Sequence, residues 1–208
     1  MQSARTDRFT WQATTIWGNV PAAQWMHNLR KKKPDIYDHC VRVALLSERL
    51  ALRMKLPPES RTQLLHGGFL HDLGKLLLPN ALLQAGTPIT ESDKRLWRLH
   101  PELGAEILER DGGVDAETLA IVRCHHEHWD GSGYPNGLKG EEIPYLARIC
   151  AVIEEFDHLL ANLPVRSESC LRQVRLELVR QSWRKFDGQI VKELMDLVSD
   201  EAHLYVRR

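Results

Sequence analysis

Apolar side chains recur every three to four residues along most of this chain, and that spacing restricts the folds it can adopt. Between residues 37 and 54, Val41 and Ala44 fall on one helical face, while Arg49 and Arg53 fall on another. No segment alternates convincingly between apolar and polar residues, and no Asn-Gly or Asp-Gly turn joins two such segments. The sequence therefore predicts an all-α fold.

Prolines, glycines and capping residues mark where the predicted helices begin and end. Pro57-Pro58 stops the first helix, because proline cannot donate a backbone hydrogen bond and disfavours helix in the residue before it. The next helix is predicted over 59–73, with Gly74 as its C-terminal cap. Thr90 and Pro101 are typical of helix starts. Further helices are predicted over residues 115–126, 144–160, 167–186 and 189–205.

A loop is predicted between two of these helices, over residues 130–143. It is rich in the two residue types that interrupt helices. These are Gly131, Gly133, Pro135, Gly137 and Gly140. The loop directly follows a pair of histidines, so it is placed beside any site that those histidines form.

The charge and the cysteines exclude several classes of protein. The chain carries 28 basic and 28 acidic side chains, which argues against binding to a nucleic acid polymer or a membrane surface. No apolar stretch approaches the roughly 20 residues of a membrane span, and the N-terminus lacks the features of a secretory signal. The four cysteines are widely spaced without a Cys-x-x-Cys pair, as is typical of reduced thiols. We therefore expect a cytoplasmic protein.

Residues 1–33 differ in composition from the rest and are predicted to be an extension to a domain over 34–208. They contain Trp11, Trp17 and Trp25, followed by the basic run Arg30-Lys31-Lys32-Lys33. One interpretation is a helix whose tryptophans pack on the domain, followed by a solvated turn. The alternative is a connector to a sensor domain or a dimerisation helix, which leaves open a homodimer or a signalling partner protein.

Histidines and carboxylates near the predicted helix ends indicate a metal site. His71-Asp72 lies at the end of one helix, His100 precedes another, and His125-His126 ends a third. Any one of these histidines, taken alone, is more often a structural imidazole satisfied by a hydrogen bond. Imidazoles and carboxylates on facing helices together are how helical bundles build dinuclear sites. This set of ligands favours iron or manganese over calcium or thiolate-bound zinc.

The order of these motifs resembles the HD-GYP domain, a branch of the HD metal-dependent phosphohydrolases. The match covers roughly residues 35–166 and continues into the C-terminal helices. Its most specific part is His125-His126-Glu127-His128-Trp129-Asp130-Gly131-Ser132-Gly133-Tyr134-Pro135. The resemblance implies an HD-domain helical bundle with a glycine-rich loop and a C-terminal helical extension. It also implies two or three divalent metal ions and hydrolysis of cyclic di-GMP to linear pGpG or GMP.

The resemblance also implies a set of metal ligands, with Asp72 bridging two ions. Glu154 falls where the family usually places an aspartate, one turn before Asp157. Asp35 matches the carboxylate of the three-metal members. The matched ligands are Asp35, His39, His71, Asp72, His100, His125, His126 and Glu154.

Substrate contacts follow from the resemblance in the same way. Lys75 matches a lysine that contacts the scissile phosphate, and Gly133, Tyr134 and Pro135 match the loop that shapes the pocket. Arg166 is placed to meet a phosphate. Two cations would clamp the phosphate and activate a water, with Asp72 and Lys75 as the catalytic side chains. Glu127 is predicted either to orient a ligand imidazole or to be a solvated carboxylate.

Departures from the family pattern keep two other functions open. Besides Glu154, Leu163 and Val165 replace the polar and basic residues that the family tends to have there. One alternative is a catalytically weak module that binds a cyclic dinucleotide or serves as a scaffold. The other is a phosphohydrolase of a different nucleotide, such as a cyclic GMP–AMP hybrid or a nucleoside monophosphate.

Overall fold

The computed structural model describes residues 21–83, 90–163, 165 and 167–206, and every regular element in this part is helical. An isolated bridge between Ser182 and Phe186 is the strand-like pairing recorded there. The helices are α1 (Pro21–Lys32), α2 (Pro34–Arg53), α3 (Pro58–Leu70), α4 (Glu91–Trp97), α5 (His100–Asp111), α6 (Ala116–Cys124), α7 (Tyr145–Ala161), α8 (Glu168–Arg180) and α9 (Gly188–Asp200). Short 3₁₀ turns cover Leu73–Leu77, Asn80–Leu83, Gly140–Glu142 and Ala202–Leu204. The predicted all-α fold is confirmed.

The predicted helix starts agree with the capping chemistry. Thr90 and Asp93 form a reciprocal capping box at the start of α4. The side chains of Asp115, Ser167 and Asp187 accept backbone N–H groups at the starts of α6, α8 and α9. Each cap satisfies a donor that has no partner within its helix.

The end of the second predicted helix is wrong by three residues. Helix α3 ends at Leu70, and the chain continues into the 3₁₀ turn Leu73–Leu77, which contains Gly74. Gly74 is therefore not the C-terminal cap. An added Cβ at this position would overlap the carbonyl oxygen of His100, so glycine is required for α5 to approach the turn.

The last two helices are also shorter than predicted: α8 ends at Arg180, where the segment 181–187 leaves the helical path, and α9 ends at Asp200, before the turn Ala202–Leu204. In the segment 181–187, the carbonyl groups of Arg184 and Lys185 accept the N–H groups of Asp130 and Trp129, at 2.9 and 3.0 Å. The segment thereby joins the glycine-rich loop through main-chain hydrogen bonds. The loop itself spans the predicted region, apart from the short turn Gly140–Glu142.

Helix α7 is the centre of the larger apolar core. Ile149, Ile153 and Phe156 are almost fully buried against residues of α2, α8 and α9. A second cluster joins α1 to α2, α3 and α5 through residues such as Leu29 and Phe69. Burial of this kind stabilises a fold by about 25 cal/mol per Å² of apolar surface.

The N-terminal extension packs on the domain in the part that is described. Met26 and Leu29 are buried, and Trp25 donates its indole N–H to Asp111. Trp11 and Trp17 lie outside the described residues. The prediction of a solvated turn is wrong at Lys33. This residue is buried, and its side chain donates to the carbonyl of Leu78 at 3.1 Å. In the described part of the chain, no helix is both long and apolar enough to cross a bilayer.

We expect Gly74→Ala to destabilise the protein far more than Gly104→Ala, its counterpart across the same contact. An added Cβ at Gly104 meets its nearest neighbours at 3.1 and 3.2 Å, a contact that small shifts can relieve. Overpacking against a rigid backbone carbonyl should cost about 3 kcal/mol, and the Gly104 change about 1 kcal/mol or less. Urea unfolding measures both, and equal losses of stability would contradict this account of Gly74.

Candidate metal centre

Five elements bring their polar side chains to one point. The candidate ligands sit where helices begin or end, except for those on α2 and α7. His71 caps the end of α3, His100 opens α5, and His125 caps the end of α6. The remaining candidates around this point are His39 on α2, Asp72 and His126 in the adjoining turns, and Glu154 on α7.

The carboxylate of Asp72 lies at the centre of this arrangement. Its Oδ1 is 3.3 Å from Nε2 of His100 and 4.0 Å from Nε2 of His125. Its Oδ2 is 3.5 Å from Nε2 of His71 and 3.8 Å from Nε2 of His39. The two oxygens therefore face two different pairs of imidazoles, as a bridging carboxylate would.

The imidazole rings are fixed from their outer side. The Nδ1 atoms of His71, His100 and His125 lie 2.9, 2.7 and 2.8 Å from the backbone carbonyls of Gly68, Trp97 and Val122. Because a carbonyl oxygen only accepts, Nδ1 must carry the proton in each ring. A neutral ring then presents the lone pair of Nε2 to the centre, which is the form that binds a metal.

Burial keeps these rings neutral. It lowers the pKa of His71 to about 4. It also lowers the pKa of His100, and it lowers those of His125 and His126 well below the usual range. Nevertheless, Nε2 of His100 lies only 3.2 Å from Nε2 of both His125 and His126. Lone pairs that face each other at this distance repel unless a cation lies between them.

The donor atoms fit two cations. His100, His125 and His126 form one group of convergent donors, and His39, His71 and Glu154 form another. Asp72 Oδ1 is buried and has no hydrogen-bond partner of acceptable geometry among the described residues. An unpartnered buried carboxylate oxygen is costly, and a cation at this point would remove that cost.

Charges around Asp72 are balanced by Lys75. Its Nζ donates to Asp72 Oδ2 at 2.6 Å and lies 4.7 Å from the ring centroid of Trp97. Burial opposes ionisation of Asp72, but Lys75, followed by His71, holds the pKa of this carboxyl well below its usual range. Among the described residues, Glu154 has no recorded hydrogen bond to a lysine or arginine. Burial, followed by repulsion from Asp72, raises the pKa of Glu154 to about 7.

Sequence reasoning missed the role of Arg42. Its guanidinium binds Asp157 through two hydrogen bonds of 2.8 and 2.9 Å, and Asp157 in turn accepts from Nδ1 of His39 at 2.7 Å. Burial opposes ionisation of Asp157, but these partners lower its pKa to about 2. Asp157 is thus a carboxylate that orients His39. The three-residue spacing of His39 and Arg42 on one helix was the available signal.

The glycine-rich loop lies against the second group of donors. The Tyr134 ring stacks on His126 with centroids 4.8 Å apart, and the Tyr134 N–H donates to the His126 carbonyl at 3.1 Å. The Tyr134–Pro135 peptide bond is cis. An added Cβ at Gly133 would overlap the main chain of residues 126–128. Glycine therefore lets the loop reach the ligand pair.

Glu127 has a different role from either prediction. Its carboxylate is buried and accepts the N–H groups of Asn136 and Leu138, at 2.7 and 3.1 Å. It therefore holds the loop in shape and is not solvated, and these recorded bonds do not orient an imidazole. The two amides could not be identified from the sequence, because the path of the loop sets which N–H groups turn inward.

Two predicted site residues are not among the described members of this cluster. Asp35 is exposed in the first turn of α2 and does not belong to either group of donors. Arg166 lies outside the described residues. Cys40, which was not predicted, has its sulfur among the donor atoms of His71 and Asp72. Burial raises the pKa of the Cys40 thiol well above its usual range, so it remains protonated.

Comparison with known proteins finds a family model and curated phosphodiesterases that are similar to this chain. The model of the HD domain family matches residues 24–190. The chain is 35% identical over 159 residues to 3'3'-cGAMP-specific phosphodiesterase 2 of Vibrio cholerae, covering 76% of this chain and 30% of that protein. It is 30% identical over 174 residues to a cyclic di-GMP phosphodiesterase of Thermotoga maritima, covering 83% of this chain and 47% of that protein.

A solved structure shows a similar fold. The chain superposes on Bd1817, a HDG"Y"P protein from Bdellovibrio bacteriovorus, with a TM-score of 0.66 and 26% identity. The superposition covers 79% of this chain and 52% of that one. The chain spans less than half the length of the two curated relatives described above.

Replacing Glu127 by alanine should loosen the loop at two specific amides. Hydrogen bonds to a charged acceptor contribute about 1.5–3 kcal/mol, so exchange at Asn136 and Leu138 should accelerate about 10- to 100-fold. Amide hydrogen exchange measures this. The matched control is Glu142→Ala. The exposed carboxylate of Glu142 accepts the Lys139 N–H at 2.9 Å, so this variant should accelerate amide exchange at Lys139 and not at Asn136 or Leu138. Unchanged exchange at both Asn136 and Leu138 would contradict the assigned role.

Proposed function

Because the chain belongs to the HD domain family, we propose that it is a metal-dependent phosphodiesterase that hydrolyses a cyclic dinucleotide. The substrate is cyclic di-GMP, and the product is linear pGpG or GMP. The relative from Thermotoga maritima bears the name of this activity. The motif that spans His125 to Pro135 supports the same substrate.

The observation that carries the proposal is the approach of imidazole nitrogens around one buried carboxylate. Nε2 of His39 lies 3.2 Å from Nε2 of His71, and the same distance separates His100 from His125 and from His126. Because the outer nitrogens of three of these rings donate to carbonyls, their inner lone pairs have no proton to share. Two divalent cations, one in each group of donors, satisfy this arrangement.

The residues for two ions are therefore assigned as follows. His39, His71 and Glu154 would hold one ion; His100, His125 and His126 would hold the other; and Asp72 would bridge them. Imidazole with carboxylate suits iron or manganese. When bound, such ions polarise phosphate oxygens and lower the pKa of a water from about 15.7 towards 7.

The chain's own side chains prepare this site. Asp72 supplies negative charge to both groups of donors, and Lys75 offsets part of that charge at 2.6 Å. Arg42 and Asp157 fix the ring of His39, and the carbonyl partners fix the other rings. Lys75, held under the Trp97 ring, also places a positive charge beside the reacting phosphate, where negative charge builds during the reaction.

A second substrate has its own support. The relative from Vibrio cholerae is named for activity on 3'3'-cGAMP, and its 35% identity exceeds the 30% of the relative from Thermotoga maritima. Cyclic GMP–AMP is therefore the second candidate substrate. Glu154 and the residues Leu163 and Val165 motivate the third candidate, a module that binds the dinucleotide with little turnover.

The setting of this activity is also part of the proposal. The four cysteines are free thiols, which is consistent with the cytoplasm. The domain over 34–208 is proposed as the catalytic unit. Residues 1–33 are proposed as the extension through which a second copy or a signalling protein would act.

The decisive experiment uses protein purified without oxygen and reconstituted with iron(II) or manganese(II). We expect hydrolysis of cyclic di-GMP, and loss of both bound metal and hydrolysis when His71 and Asp72 are both replaced by alanine. The helical circular dichroism should remain, because the fold is set by the apolar core. Asp72→Asn provides a milder variant, and His203→Ala, at an exposed histidine, is the matched control. Activity retained in the double variant would reject the assignment, and tight binding of cyclic di-GMP without turnover would favour the binding module.

Asp35→Ala distinguishes two ions from three. Because Asp35 is exposed and outside both groups of donors, we expect the variant to bind as much metal as the wild type. Metal analysis of the purified proteins measures this. A loss of about one ion per chain would instead assign Asp35 to a third site, as the family resemblance implies.

A further inference from the structure

Arg98 directly follows helix α4 and contacts the glycine-rich loop beside the candidate metal centre. The guanidinium of Arg98 lies 5.5 Å from the ring centroid of Tyr134. The same Tyr134 ring stacks on His126 at 4.8 Å. Arg98, Tyr134 and His126 therefore form a column that leads outward from the second group of donors.

Other described cations close to the centre have carboxylate partners. Lys75 donates to Asp72 at 2.6 Å, and Lys185 donates to Glu155 at 2.8 Å. Arg42 is bound to Asp157 by two hydrogen bonds. Arg98, by contrast, is exposed and forms no ion pair with a carboxylate among the described residues. Among these four described cations, Arg98 is therefore the one without a carboxylate partner.

A cation–π contact with Tyr134 is compatible with hydrogen bonds from the Arg98 guanidinium to a ligand. A guanidinium over an aromatic ring uses its flat face for the cation–π contact. Its N–H groups lie in the plane of the group and can bind two phosphate oxygens at once. Holding the side chain on Tyr134 also reduces the entropy lost when it binds a ligand.

We propose that Arg98 binds the second, non-reacting phosphate of a cyclic dinucleotide. This inference rests on the proposed function, since it assumes that the first phosphate lies at the metal centre. A cyclic dinucleotide carries two negative charges on one ring, and only one of them can meet the reacting position. The described residues 158–163 and 165 contain no lysine or arginine. Arg98 is a cation from a different element, in addition to Arg166, which lies outside the described residues.

The test compares two ligands that differ in the second phosphate. Cyclic di-GMP has two phosphodiesters, whereas the linear dinucleoside monophosphate GpG has one. Both are measured as competitive inhibitors of bis(4-nitrophenyl) phosphate hydrolysis by the manganese-loaded protein. For Arg98→Met we expect the Ki of cyclic di-GMP to rise about tenfold, and that of GpG less than about twofold. Arg95→Met, at an exposed arginine on the same helix, should change neither.

A binding measurement separates this inference from the proposed function. Isothermal titration of GpG and of a slowly hydrolysed phosphorothioate analogue of cyclic di-GMP into the manganese-loaded protein should show the same selective loss for Arg98→Met. Equal weakening of both ligands, or of neither, would overturn the role of Arg98. If the wild type shows the selective binding but hydrolyses neither substrate, the proposed function fails and the assignment of Arg98 stands.

Discussion

The burial of one carboxylate is the constraint on which the rest of this structure depends. Asp72 is 1% exposed, and a charge in that position needs partners on every side. Four helices supply them by ending, beginning or passing at the same point, with α7 closing the arrangement. Lys75 alone does not complete the shell, since Oδ1 remains without a hydrogen bond among the described residues. The architecture is thus arranged around a charge that bound cations would compensate in full.

Much of the fold and of the donor set could be predicted from the sequence, because both depend on local patterns. The helices follow from apolar spacing and caps, and membership in the HD superfamily is confirmed. The candidate ligand histidines, except His39, stand out because they lie at helix ends, where side chains can turn towards a common interior. The three-residue error at the end of α3 matters more than its size indicates. It places His71 and Asp72 at the change from α-helix to 3₁₀ turn, which sets the directions of both side chains.

What could not be predicted depends on contacts between distant segments. Gly74 is needed because the carbonyl of His100 approaches it. The residues around Gly74 in the sequence do not indicate this contact. Glu127 supports a loop nine to eleven residues further along the chain. Arg42 and Asp157 are 115 residues apart. In each case the residue type is ordinary for a surface, and only the tertiary path of the chain gives it a partner.

The main-chain pairing between residues 184–185 and the glycine-rich loop has a consequence for how the protein can change over evolution. Trp129 and Asp130 bind carbonyl groups, not side chains, of that segment. Substitutions at Arg184 or Lys185 would leave these bonds in place. Movement of α8 or α9 would therefore displace the glycine-rich loop through hydrogen bonds that do not depend on which side chains the segment carries. Alanine scanning would overlook such a mechanical connection, whereas insertion or deletion of a residue in 181–187 would break it.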